Sequence, residues 1–220
     1  MEDLLETNPK DVPLSDIDIF TKIWTSPRPV FKFINDNQYD KFVIFLLVLM
    51  GISKAFEKAS SKHMGDTMSF WAVIAFCIIG GALFGWISYA IYAALLSWTG
   101  RWLKAEGNTR SILRIIAYAS IPAAVGVVLF ILPIVIYGNE IFKSEGDLES
   151  ADMLSNIFVY SSIFLQVALA IWTIFLCVIG ISEVQKLSIG KSILNLLLPF
   201  FVIFIPIFAI FLVIGISSHK

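Results

Sequence analysis

The sequence predicts an all-α membrane protein, a five-span transmembrane helix bundle preceded by a short amphipathic interfacial helix. Two observations carry this. Hydrophobic residues make up 58% of the chain and charged residues only 15%, with a mean hydropathy of +0.83, against about 25% charged in soluble domains. Five stretches (42–53, 67–100, 115–139, 153–182 and 192–218) hold no charged residue at all. At 220 residues the chain is a single domain. Its net charge of −1 and the absence of a lysine-arginine cluster argue against a nucleic-acid partner. No signal peptide is expected, since the first forty residues hold no apolar run and begin with Glu2, Asp3 and Glu6. Cys77 and Cys177 both fall inside apolar runs, so no disulfide framework is expected.

Residues 1–14 mix both signs of charge with two prolines and read as a disordered tail. Residues 15–41 read as an amphipathic interfacial segment. Ser15 and Asp18 form a capping-box variant. Behind it Ile19, Phe20, Ile23 and Trp24 recur at helical spacing, an apolar face expected to lie on the membrane surface. A soluble helix capping the bundle is the other reading. Pro27 and Pro29 end this helix, and Phe31, Phe33 and Ile34 are expected to touch the interface again.

The membrane domain is expected over 42–220, with spans at roughly 42–56, 68–98, 112–137, 154–182 and 192–217. The first is short: twelve uncharged residues cover about 18 Å of helix against a ~30 Å hydrocarbon core. Lys41 and Lys54 must snorkel for it to cross, and a re-entrant or interfacial segment is the alternative. The second is too long for one upright crossing and must tilt or leave the bilayer near Trp98 and Trp102. Within it Gly81 and Gly85, with Ser88 a turn on, form a small-residue seam for close helix packing, within the chain rather than between copies. Pro122 and Pro133 in the third span, and Pro199 and Pro206 in the fifth, are expected helix breaks.

Charge by loop sets the orientation. Five spans with the N-terminus cytoplasmic and the C-terminus outside place eleven lysines and arginines inside against five outside. Four spans give ten against six, a poorer bias.

The order of parts also carries a resemblance. An IWTSPRPVFKF stretch (23–33) precedes the spans. The second loop leads through Gly107 and Ser111 into AYASIP, with Tyr118 and Pro122. The fourth span ends in GISEVQKLSIGKS, with Gly180, Glu183 and Gln185. This pattern resembles the Yip family of multi-pass membrane proteins, named for interaction with Ypt/Rab small GTPases, and covers about residues 20–215. The resemblance implies a cytosolic N-terminus, five spans and, in eukaryotic members, a role in vesicle trafficking and membrane organisation. The short tail makes this chain look more like a prokaryotic member of the inner membrane, where no Rab partner exists.

Chemistry for catalysis is thin. There is no HExxH or GxSxG motif, no phosphate-cradling glycine loop, and no carboxylate in the middle of a span. Ser88, Ser120, Ser161 and Thr173 read as packing or backbone-bonding groups. No enzyme activity and no cofactor or metal is expected. The expected contacts are the lipid bilayer, with protein partners at the cytosolic face or self-association left open. A non-enzymatic scaffold or adaptor is favoured over a small-solute channel or transporter built on the proline-interrupted helices. Arg114, Tyr118 and Glu183 are expected to meet as a polar cluster on the cytoplasmic side, Arg114 and Glu183 sharing one depth. Local pairing of Glu183 with Lys186, worth only ~0.2–0.5 kcal/mol, is the alternative.

Overall fold

The computed structural model describes residues 14–147 and 152–217. The disordered tail expected over 1–14 therefore lies almost wholly outside the described residues. Eight α-helices follow in order: α1 (Asp16–Lys22), α2 (Pro27–Asp36), α3 (Val43–Ser61), α4 (Phe70–Trp102), α5 (Thr109–Ala119), α6 (Ile121–Tyr137), α7 (Met153–Gln185) and α8 (Ile189–Ser217). Two single 3-10 turns, Met64–Asp66 and Gly138–Phe142, complete the described secondary structure, which holds no strand. Four helices are long and apolar enough to cross a membrane: Phe70–Trp102, Ile121–Phe142, Met153–Gln185 and Ile189–Phe208. Their outer faces carry rows of exposed large apolar side chains, among them Phe76, Phe84, Phe164, Phe175, Phe200 and Phe204. Such a surface is stable against lipid and not against water.

The centre of the fold is α5. Asn108 caps it, accepting from the Ser111 N–H at 2.9 Å while Ser111 Oγ accepts from the Asn108 N–H at 3.0 Å. Every residue from Ser111 to Ala119 except Leu113 is buried, as befits a helix surrounded on all sides. The helix ends at Ala119 and restarts at Ile121, with Pro122 in the first turn of α6, where its missing N–H removes nothing. The Ala123 N–H, one of the donors that a helix start orphans, is taken by Thr173 Oγ1 of α7 at 3.1 Å.

Pro133, Pro199 and Pro206 do not break their helices, contrary to expectation. The reason is the solvent. At bilayer depth any non-helical turn strands several backbone groups, whereas one proline removes a single bond.

The amphipathic front end is also placed differently. Its capping box forms, the Asp18 carboxylate accepting from the Ser15 N–H at 3.1 Å. But Ile19 and Ile23 are fully buried in the protein core, and Phe20 and Trp24 are partly buried against it. Phe31 and Ile34 of α2 join the same core. This face packs on the bundle, because a protein core satisfies an apolar stripe as well as lipid does.

The third helix, α3, is 19 residues long, is not among the four apolar helices named above, and is anchored at both ends. At its start the Phe42 N–H donates to Tyr118 Oη of α5 at 3.3 Å. At its end Ser60 Oγ donates to the Ile141 carbonyl at 2.8 Å, in the turn that follows α6. It lies against α4 at the glycine seam. A Cβ added to Gly85 would sit 2.1 Å from Gly51 Cα, and one added to Gly81 would sit 2.6 Å from Ile52 Cα. Contacts this short leave no room for any side chain. The seam is thus used within the chain, while Ser88 lies on the exposed side of α4.

Candidate functional site

The polar residues gather at the end of the bundle capped by α1, α2 and α5. Arg114 projects from the buried helix with 3% of its side chain exposed, and its Nε donates to Asp40 Oδ1 at 2.7 Å. Arg110, one turn earlier and largely exposed, donates from Nη2 to Asp40 Oδ2 at 2.6 Å. One carboxylate thus bridges two guanidiniums, and the charge-assisted bonds hold it in place. The Arg114 bond, ahead of that from Arg110, draws the Asp40 carboxyl below its ordinary pKa, against the opposing effect of burial.

An aromatic pair continues the cluster. Tyr118 is fully buried, with its ring centroid 6.0 Å from that of Tyr39. The Tyr39 hydroxyl bonds Asp16, which also pairs with Lys41. Burial first, and then the Asp16 carboxylate, raise the pKa of Tyr39.

Arg114 and Tyr118 therefore share one neighbourhood, but Glu183 is not the partner of Arg114. Glu183 accepts from Lys186 Nζ at 3.2 Å, the local pairing, while the ion pair of Arg114 goes to Asp40. Depth along the helices brought Arg114 and Glu183 level. It could not show that the linker between α2 and α3 delivers a carboxylate first.

Beside this cluster lies a polar cleft of about 290 Å³, walled by Asn35 and Gln38, the 106–108 loop, Arg110, Arg114 and Lys186. The loop is pinned to α7. The Glu106 N–H donates to the Gln185 carbonyl at 3.0 Å. Gly107 has φ +86°, and an added Cβ would press within 3.1 Å of the Val184 carbonyl oxygen.

Behind the cleft is a buried amide network that sequence reasoning missed. Asn195 Nδ2 donates to Gln185 Oε1 at 2.7 Å and to the Leu96 carbonyl at 3.1 Å. Its Oδ1 accepts from Thr99 Oγ1 at 2.7 Å. All three residues are essentially inaccessible, and they tie α4, α7 and α8 together. Gly100 makes room, since a Cβ there would meet Gln185 Nε2 at 2.6 Å. The one signal available in the sequence was an asparagine inside the uncharged run that begins at Ser192. Replacing Asn195 by leucine should lower stability in detergent by about 1–3 kcal/mol, because Gln185 and Thr99 lose buried partners. An unchanged thermal midpoint would show that the network carries nothing.

These contacts give the quoted motif its meaning. Gly180 lets α7 touch α5, where a Cβ would strike Ile115 Cγ2 at 2.4 Å. Gln185 joins the network, and Glu183 turns outward to Lys186. Among the described residues no group of three or more His, Cys, Asp or Glu side chains could hold a metal ion.

No curated protein and no solved structure matches the chain. The family model of the Yip1 domain matches residues 21–211, a span that takes in α2 to α7, the Arg114–Asp40 pair, the cleft and the amide network, and on that match the chain belongs to the Yip1 domain family.

Proposed function

We propose that this membrane protein is a non-enzymatic scaffold or adaptor with five spans, its N-terminus cytoplasmic and its C-terminus outside, and that it docks partners at the α5 end. The fifth span is α3. What supports the crossing is its pair of anchors, Tyr118 at one end of the bundle and Ile141 at the other. The turns at its outer end also meet, the Ser144 N–H donating to Asp66 Oδ1 at 3.1 Å. The loop charges counted above favour the same orientation.

The adaptor reading rests on one contrast. A polar cleft open to a partner sits at the α5 end, on a base pinned to α7 by the Glu106–Gln185 backbone bond. Of the cavities deeper in the bundle, the one beside Pro133 is lined mainly by aliphatic and aromatic side chains, and the other adds Ser53, Ser120, Thr173 and the Lys54–Glu57 pair to an otherwise apolar wall. The family resemblance adds membrane organisation, or processes akin to trafficking, as the setting.

The transport reading has one observation in its favour. Cavities of about 420 and 320 Å³ both border Gln166, the first beside Pro133. The walls of the larger cavity suit a hydrophobic occupant better than a hydrated ion, which needs a ring of oxygens, and in the smaller one Glu57 is already paired with Lys54.

Topology is checked by cysteine labelling in sealed vesicles. Ser188→Cys should react only from the cytosolic side, and Thr67→Cys and Glu145→Cys only from the other. Thr67→Cys reacting from the cytosol would remove α3 from the spans. For docking, a photo-crosslinker at Gln38 in native membranes should trap a protein or a second copy. Absence of any adduct, together with solute flux in proteoliposomes, would overturn the adaptor reading.

A further inference from the structure

One face of α3 carries Lys54 and Lys58 on successive turns, and Lys62, which caps the helix, continues the stripe; all three are exposed. They border a groove of about 360 Å³ between α3 and α4, floored by glycines and walled by Phe76 and Phe84. Lys54 is paired, its Nζ 2.6 Å from Glu57 Oε2. No described carboxylate forms an ion pair with Lys58 or Lys62, so the outer end of the stripe is uncompensated. Unpaired ammonium groups beside apolar helices are costly unless they reach an anion at the membrane surface.

The groove itself is open. A Cβ built on Gly80 meets nothing within 4 Å, although Gly81 and Gly85 beside it are packed hard against α3. Gly80 leaves a slot running inward from Lys58 and Lys62 between two aromatic side walls, its lining apolar apart from the paired Lys54 and Ser88. Positive charge at the mouth and an apolar channel below match an amphiphile with an anionic head and a hydrocarbon tail.

We propose that this groove is a binding site for an anionic phospholipid. The phosphodiester lies at Lys58 and Lys62, and an acyl chain lies over Gly80 against Phe76 and Phe84. A zwitterionic headgroup brings its own cation toward the lysines and binds less well. The site rests on α3 lying along α4 within the bilayer, which labelling at Thr67 tests separately.

The experiment uses the full chain in vesicles of equal parts phosphatidylglycerol and phosphatidylcholine, extracted into mild detergent. Native mass spectrometry counts the lipids retained. Wild type should retain phosphatidylglycerol preferentially. The double variant Lys58→Gln/Lys62→Gln should weaken that preference on the order of tenfold or more, each lysine near an anionic headgroup being worth about fivefold. Lys58→Arg/Lys62→Arg should keep it. Gly80→Leu, which projects into open space, should expel the lipid with the unfolding midpoint unchanged. Equal retention of the two lipids by wild type would overturn the site, as would undiminished preference in either the glutamine or the leucine variant. Loss of preference with Thr67 labelled from the far side confirms the site and the span together. Retention unchanged with that same labelling removes the site alone.

Discussion

Replacing Asp40 by alanine is expected to cost about 3 kcal/mol of stability in detergent, the low end for breaking a buried ion pair. The loss comes from Arg114. Its guanidinium is 3% exposed, so removing the carboxylate leaves a charge that water reaches poorly. Asp40 is about a third exposed, which keeps the figure from the top of the range. Asp40→Asn retains an acceptor and should fall between wild type and alanine. Arg114→Met combined with Asp40→Ala should show coupling above about 1 kcal/mol, as contacting residues do. Arg114→Met combined with Glu183→Gln should be additive within about 0.5 kcal/mol. Coupling to Glu183 rather than Asp40 in denaturant titrations would contradict the geometry described here. The pair also sets a pH dependence. Because the Asp40 pKa is lowered on folding, its contribution is present above the ordinary aspartate value. It is lost as pH falls through the folded value. Asp40→Asn should therefore flatten the acid limb of the stability profile.

A larger effect is expected from Gly85→Leu. Even a methyl group at this position would sit 2.1 Å from Gly51 Cα, and backbone cannot yield as a side-chain tip can. Overpacking of well-filled sites costs typically 1–3 kcal/mol. Gly85→Ala should reach the top of that range, and leucine, which must force α3 off α4, should exceed it. Gly80→Leu on the same helix is the control, since its side chain enters open space. Unfolding midpoints of the two leucine variants, measured in one detergent, should differ by far more than their identical change in composition would suggest. Equal midpoints would mean that the seam is not a close contact.

The bundle was legible because its signal is long and periodic-free: uncharged runs of some thirty residues mark α4, α7 and α8 whatever their neighbours do. The glycine seam was legible because small residues four apart have few other uses in an apolar helix. The site was harder to read. Arg114 was recognised as needing a partner, but Asp40 lies 74 residues earlier in the chain. No local rule ties a linker residue to a distant helix. Ile19 and Ile23 show a second limit, since an apolar stripe states that something will cover it and not what. Asn195 shows a third. One amide in α8 gains its meaning only from Gln185 and Thr99, which belong to other helices.

The seam has a consequence for biosynthesis. On the proposed topology α3 reaches the translocon before the other spans, carrying Lys54, Glu57 and Lys58 in its second half. A lysine near the middle of a segment opposes insertion by about 2.5–3.5 kcal/mol, so α3 is a weak insertion signal by itself. The residues that rescue it, Gly81 and Gly85, emerge only with α4. On that topology the unit that would partition into the bilayer is the hairpin of α3 and α4, joined through the Met64–Asp66 turn. On the same topology a seam lesion would also be felt during synthesis, as a fraction of chains in which α3 stays on the cytosolic side and every later segment is inverted, beside the lowered midpoint of the chains that insert correctly.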